Sequence, residues 1–161
     1  MKNIIESIIG RPAKKTKPGR LYKTLEKYFS RNLETFIISM DPEDNLHPEL
    51  SEEYGLSELI LKRDDSQKKA FGTNNMVVEL VSIQVKPALR NRGIATNVLD
   101  ELTLWADDNN VVLVGDPDDM FKTPLDMLYK LYGKFGFERS EKYNPIPNAW
   151  GKYHKIVRFP R

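Results

Sequence analysis

The chain has no cysteine. That excludes disulfides, thiolate metal sites and cysteine nucleophiles, and it fits most simply with a reducing, cytoplasmic setting. Histidine is nearly as scarce, with only two among 161 residues. His47 and His154 lie far apart with no ligand pair beside either, so no metal site is expected. No stretch approaches the roughly 18 apolar residues of a membrane span. The apolar start, MKNIIESIIG, contains Glu6 and runs into a basic segment without a cleavage motif, so neither a membrane protein nor a secretory leader is expected. The Gly-x-Gly-x-x-Gly fingerprint, the P-loop and the nucleophile elbow are all missing, which argues against dinucleotide binding and serine hydrolysis. Asp116, Asp118 and Asp119, in Gly-Asp-Pro-Asp-Asp, invite an Mg²⁺ reading but are more simply a solvated loop after a strand.

What is present suffices for one compact domain with a substantial core. Charge is polarised along it. Nine basic and two acidic residues fall in the first 31, whereas Asp41, Glu43, Asp44, Glu49, Glu52, Glu53 and Glu58 follow with no Lys or Arg between 41 and 61. We divide the chain into a basic N-terminal helical arm, 1–32, and an α/β domain, 33–161. Such blocks either steer a charged partner or form solvated faces.

Residues 1–9 have the spacing of a short helix, and RPAKKTKPG reads as an exposed linker. A helix is predicted over about 20–31, with Leu21, Leu25, Tyr28 and Phe29 as its stripe. Strands are predicted at Glu34 to Met40 and Leu56 to Lys62, with one helical turn at Pro48 to Tyr54 between them. RDDSQKKAFGTNN reads as a polar loop closing a hairpin into the next strand. After a helix at 94–108, Val111 to Val114 reads as a strand buried on both faces. Thr123-Pro124-Leu125-Asp126 reads as a helix start with Thr as N-cap, carrying Leu125, Leu128, Leu131, Tyr132 and Phe135 inward to Gly136. FERSEKY and KYHKIVRF read as two last strands around Pro145-Ile146-Pro147.

The centre of this pattern is Met76 to Asp108. Val77, Val78, Leu80, Val81, Ile83 and Val85 form an apolar run that Pro87 stops. Ile94, Ala95, Val98, Leu99, Leu102, Trp105 and Ala106 then recur at helical spacing. The loop between them carries Lys86, Arg90 and Arg92, and Gly93 stands where the helix begins. First-turn N–H groups lack intrahelical partners and sit at the positive end of the dipole, so this turn suits a phosphate, and a β-carbon at Gly93 would obstruct it. A phosphate-free βα turn with solvated basic residues is the plain alternative.

Arg90-Asn91-Arg92-Gly93-Ile94-Ala95 resembles the (Gln/Arg)-x-x-Gly-x-(Gly/Ala) signature of the GNAT acetyltransferases. Leu131-Tyr132-Gly133-Lys134-Phe135-Gly136-Phe137 is similar to the Leu-Tyr-x-x-x-Gly-Phe that ends that family's next helix. The resemblance covers about residues 33–159. It implies a GNAT-like mixed sheet with a central β-α-β acyl-CoA-binding unit and flanking helices. The family usually begins with a strand before its first helices, and none is legible in the first 30 residues.

The resemblance also implies roles. Acetyl-CoA would be cosubstrate, with no metal. Its pyrophosphate would rest on the turn formed by Arg90, Asn91, Arg92, Gly93, Ile94 and Ala95, helped by the Thr96 hydroxyl, and its pantetheine arm would pair with the backbone at Ile83 and Val85. Tyr132 would protonate the leaving thiolate, with Tyr129 as the alternative, and Glu79, six residues before Val85, would be the catalytic base. The plain readings are a core tyrosine and a glutamate on a solvent-facing strand position. Where many members carry an Asn to bind pantetheine, this chain has Leu125. The expected activity is transfer of acetyl to a primary amine, of a protein, a peptide or a small molecule, by direct attack in a ternary complex. The rival is an inactive GNAT-like module that binds CoA or docks a partner.

For the acceptor, the acidic block favours a cationic group such as a basic peptide or polyamine. The basic arm instead suits nucleic acid, or a contact in cis with that block. Trp105 and Trp150 read as packing anchors, Trp150 alternatively as a wall of the acceptor pocket. The sequence leaves the oligomeric state open.

Overall fold

The computed structural model describes residues 18–41, 43, 47–117 and 124–161. The helix expected at 1–9, the linker as far as residue 17, Thr123, and Asp118 and Asp119 lie outside them. The elements run α1 (Arg20–Phe29), β1 (Thr35–Ser39), α2 (Pro48–Tyr54), β2 (Leu56–Arg63), α3 (Ser66–Ala70), β3 (Val77–Val85), α4 (Ile94–Asp108), β4 (Val112–Gly115), α5 (Leu125–Lys134), β5 (Glu138–Arg139) and β6 (Ile156–Arg158). They form an α/β fold on one open, mixed six-stranded sheet of order β1-β2-β3-β4-β6-β5. Only β3 and β4 are parallel, joined through α4 as a β-α-β unit. Among the described residues no helix is long and apolar enough to cross a membrane.

β3 explains the asymmetry of the sheet. Its alternation breaks at one point: Ile60 of β2 faces Ser82 while the next residue, Leu61, faces Leu80, so Val81 is a bulge without a register partner in β2. The extra residue switches the parity of the strand. Val78 and Leu80 before it, and Ile83 and Val85 after it, therefore all enter the same large core. The polar positions Glu79, Ser82 and Gln84, spaced three and then two, mark the same shift.

That large core joins the helices to one side of the sheet, with Trp105 and Phe36 its largest fully buried side chains. α4 supplies Ala95, Val98, Leu99, Leu102, Trp105 and Ala106 to it at helical spacing. α1 packs across α4, with Phe29 against the Trp105 ring at 5.2 Å. A smaller cluster of Val77, Val112, Val114, Val157 and Phe71 covers the other side, so β4 is buried on both faces as its sequence implied.

Several expectations are corrected. The polar loop after β2 contains α3, a short helix whose Asp64 side chain accepts the Ser66 N–H and hydroxyl in place of a regular cap. α5 starts at Leu125 with an extended Pro124 before it, so Pro124 flanks the helix instead of opening it, and Leu125 faces outward at 45% exposure. The two long final strands shrink to β5 and β6. Ser140–Tyr143 winds instead into a 3₁₀ turn closed by Asn144 in a left-handed conformation. Trp105 is a packing anchor, but Trp150 is 84% exposed and anchors nothing.

Candidate functional site

The β3–α4 connection is a tight turn. Pro87–Leu89 forms a 3₁₀ turn, after which Asn91 (φ 64) and Gly93 (φ 74) both adopt left-handed backbone conformations. Two such residues around Arg92 fold the chain sharply onto the first turn of α4, whose first regular bond runs from Asn97 N–H to Gly93 O at 3.0 Å. Gly93 is suited to its place, because a β-carbon disfavours positive φ. Arg90, Asn91 and Arg92 are exposed, Gly93 and Ile94 half-buried, and Ala95 and Thr96 buried. The Thr96 hydroxyl is enclosed with no hydrogen-bond partner among the described residues, a state that usually means a missing donor or acceptor.

Packing from the α2–β2 corner fixes this turn. Lys86 N–H donates to Gly55 O at 2.9 Å, and a β-carbon on Gly55 would come within 2.8 Å of Ile94 Cδ1. Behind the turn, β3 outruns β4. Their pairing ends at Leu80 opposite Gly115, so Val81 to Val85 have no strand partner on that side among the described residues. Ile83 and Val85, the residues expected to lend backbone, keep their side chains in the core as expected. Among the described residues the result is an open strand edge leading to an exposed, basic helix N-terminus.

Glu79 lies on the far face of β3, half-buried, in an environment its sequence neighbours do not reveal. Its Oε1 is 3.8 Å from His154 Nδ1, and His154 Nε2 is 3.7 Å from Asp64 Oδ2. Asp116 Oδ2 contacts His154 Nδ1 at 2.7 Å, while its Oδ1 accepts the Lys155 N–H at 3.1 Å. One atom each of Asp64, Glu79 and His154 lies within 4.8 Å of the others. Three carboxylates thus surround one imidazole. The expectation that no ligand pair lies near His154 is corrected, as is that of a merely solvated Asp116: the partners come from β2–α3, β3 and the end of β4, far apart in sequence.

The charges act as that packing dictates. Burial pushes the Glu79 carboxyl above its ordinary range, and His154 only partly offsets it. For His154 burial pulls the other way, but the bond to Asp116 and the fields of Glu79, Asp116 and Asp64 outweigh it and raise the imidazole. Burial would likewise raise Asp116, yet its bond to His154 holds it low.

His154 and Asp116 also line a pocket of about 820 Å³, together with Gln67, Tyr129, Arg139 and Tyr153, among others. Gln67 is 6% exposed and its Oε1 lacks a partner among the described residues. Trp150 is not among the described lining residues, although its neighbour Gly151 is. None of the described lining residues comes from the acidic block at 41–58. There, Glu52 pairs with Lys86 and Glu53 with Arg20. Tyr132 is 2% exposed, its ring edge-on to Phe137 at 5.4 Å. Tyr129, one turn earlier, carries the Arg139 guanidinium 3.9 Å above its ring. Glu79 and Tyr132 thus sit on different elements, the strand β3 and the helix α5. Comparison with models of known protein families, with curated proteins and with solved structures found no match.

Proposed function

We propose that this chain is a GNAT-type N-acetyltransferase that transfers acetyl from acetyl-CoA to a primary amine by direct attack in a ternary complex. The observation that carries this reading is the edge of β3 from Val81 to Val85, open among the described residues, running directly into the left-handed turn at Gly93 and the N-terminus of α4. An extended amide-bearing arm that ends in a pyrophosphate matches both parts. The strand edge offers backbone partners to the arm, and the helix N-terminus, with Arg90 and Arg92, offers N–H groups and charge to the phosphates. The Thr96 hydroxyl has a free hydrogen-bonding capacity at that turn. The mixed six-stranded sheet around a central β-α-β unit is compatible with the GNAT-like architecture that the two motifs imply.

The chemistry then asks three things of the residues. The amine arrives as an ammonium and must lose a proton before it attacks, a task for the carboxylate–imidazole cluster built on Glu79. Backbone dipoles at the strand edge stabilise the charge that develops on the carbonyl oxygen. Tyr132 returns a proton to the departing thiolate. The burial of Tyr132 favours a second reading, a module that keeps the fold and the CoA cradle but docks a partner without transfer, Tyr132 being core.

Calorimetry with acetyl-CoA on the full chain decides the first step. Binding that weakens with Gly93→Val and with Arg90→Ala/Arg92→Ala supports the cradle, and no binding at near-millimolar ligand removes the cosubstrate. Binding without turnover across a panel of amines and peptides selects the docking module.

A further inference from the structure

The carboxylates around His154 are spaced as ligands are, and two of them are not spaced as hydrogen-bond partners. Asp64 Oδ2 stands 3.7 Å from Nε2 and Glu79 Oε1 3.8 Å from Nδ1, both too far for a hydrogen bond. One ligand atom each from Asp64, Glu79 and His154 falls within 4.8 Å of the other two. Atoms that share one ion at about 2.0–2.2 Å are separated by about 3.3–3.6 Å in a tetrahedral set. The gap is close to that of a coordination shell. Charge asks for the same occupant. Asp64, Glu79 and His154 are all half-buried. Among the described residues no Lys or Arg is in ion-pair contact with Asp64, Glu79 or Asp116, and Lys62, opposite Glu79 in β2, only partly offsets its charge. Three carboxylates against one imidazole leave an excess of negative charge, and buried charges are paired or coordinate metals.

Neighbouring groups already hold the ligands in place. Asp116 accepts the Nδ1–H at 2.7 Å, which leaves Nε2, the nitrogen facing Asp64, with its lone pair for an ion. Asp64 Oδ1 is taken by the Ser66 N–H and hydroxyl, so Oδ2 is the oxygen left to bind. No described group hydrogen-bonds to the Glu79 carboxylate, which is therefore able to turn toward the same point. A separate observation comes from Gln67, on α3 just after Asp64. It is 6% exposed, its Oε1 has no partner among the described residues, and it lines the wall that His154 and Asp116 share. An enclosed oxygen left without a partner signals a missing water or ion.

We propose that Asp64, Glu79 and His154 form a binding site for a divalent transition-metal ion, with His154 Nε2 as its nitrogen ligand and Asp116 as the carboxylate that orients the imidazole. A mixed set of imidazole and carboxylates suits Zn²⁺ or Mn²⁺ and disfavours Ca²⁺ and Mg²⁺, which take oxygen ligands throughout. The ion ties the β2–α3 turn, β3 and the segment before β6 to one point, and so braces the sheet. Its ligands stand at 64, 79 and 154, a spacing that no sequence motif displays. The proposal goes beyond the acetyltransferase reading and does not depend on it. If Glu79 is the base in that reaction, the ion occupies its lone pairs and inhibits transfer.

The test is calorimetry on the intact, untagged chain at neutral pH, with Zn²⁺, Mn²⁺, Mg²⁺ and Ca²⁺ titrated separately. Zn²⁺ should bind one ion per chain and at least about 10-fold more tightly than Mn²⁺, with Mg²⁺ and Ca²⁺ weaker than both. It should also shift the His154 ring resonances and raise the melting temperature. Asp116→Asn should weaken Zn²⁺ binding by about 10–100-fold, and His154→Gln should weaken it further. The other histidine, His47, faces Glu49 at 3.9 Å, and His47→Gln should leave binding unchanged. Zn²⁺ affinity that survives His154→Gln, or that is lost with His47→Gln, overturns the proposal. Equal affinity for Zn²⁺ and Ca²⁺, the mark of an ordinary acidic surface, overturns it too. Should His154→Gln fail to fold, Glu79→Gln takes its place, and undiminished binding in that variant counts against the site in the same way. Acetyl-CoA is absent throughout. Failure of acetyl-CoA to bind therefore removes the transferase reading alone, and failure of Zn²⁺ to bind removes the metal site alone.

Discussion

Glu101 caps a helix to which it does not belong: its Oε1 accepts the N–H of Tyr22, in the first turn of α1, at 3.0 Å. Gly19, at the N-cap position of α1, has no side chain to offer. Tyr54, from α2, completes the substitute. Its hydroxyl accepts the Leu21 N–H at 3.0 Å and donates to the Glu101 carboxylate at 2.7 Å. Two otherwise orphaned helix donors are thereby met by side chains from distant elements. A buried glutamate on the apolar side of α4 is thus explained without invoking the active site.

Removing this cap should destabilise the whole fold. Glu101→Ala removes the buried carboxylate that the Tyr54 hydroxyl and the Tyr22 N–H share, and should cost about 3 kcal/mol in urea unfolding. Glu101→Gln keeps an acceptor and should cost less. Gly19→Ala should also destabilise, because its β-carbon would lie 2.3 Å from Glu101 Oε1. Equal stability of Glu101→Ala and wild type would show that α1 is held by Leu21, Leu25 and Phe29 alone.

A second tie closes the other end of α4. Arg158 on β6 donates to both Asp107 oxygens, at 2.7 and 2.9 Å, and to Phe135 O at 2.6 Å. Burial alone would raise the Asp107 carboxyl, but the Arg158 guanidinium outweighs it and holds the group below its ordinary range. A depressed carboxylate adds stability above its unfolded value, near 3.9, and that stability is lost as pH falls through the folded value. Arg158→Met should therefore lower stability at pH 7 by about 3 kcal/mol and reduce its acid dependence below pH 4 (about the ordinary Asp range). An unaltered acid dependence would assign the acid transition to other carboxylates.

Much of this was legible in the sequence because it is local. α4 begins and ends where its apolar period begins and ends, and the basic turn before it follows from Pro87 and Gly93. The polar spacing of Glu79, Ser82 and Gln84 carried the bulge at Val81, although a reading by simple alternation passes over it. His154 was not legible. Its partners stand at 64, 79 and 116, and only sheet topology brings β3, β4 and the segment before β6 together. The Asp107–Arg158 and Tyr22–Glu101 pairs were hidden for the same reason.

Tyr132 tests whether the motif it belongs to is chemical or structural. If it delivers the proton to sulfur, Tyr132→Phe should lower kcat by roughly 10²-fold with little change in KM for acetyl-CoA, since that bond matters mainly in the transition state. The ring contact with Phe137 survives the change. An unchanged kcat under conditions where chemistry limits turnover would make Tyr132 a packing residue and strengthen the docking reading.

The acidic block leads to the last prediction, which concerns the basic turn that it touches. Glu52 sits on α2 with its carboxylate 3.4 Å from Lys86 Nζ, at the start of the basic turn that carries Arg90 and Arg92. Glu52 is exposed, so the pair itself adds little to folding. It does, however, reduce the positive field that a pyrophosphate would meet. Glu52→Lys should leave folding unchanged and tighten acetyl-CoA binding several-fold at low salt, with the gain shrinking as ionic strength shortens the Debye length to about 8 Å at 0.15 M. KM for an amine acceptor should stay near its wild-type value. A raised KM for a basic peptide, with acetyl-CoA affinity unmoved, would return the acidic block to the acceptor.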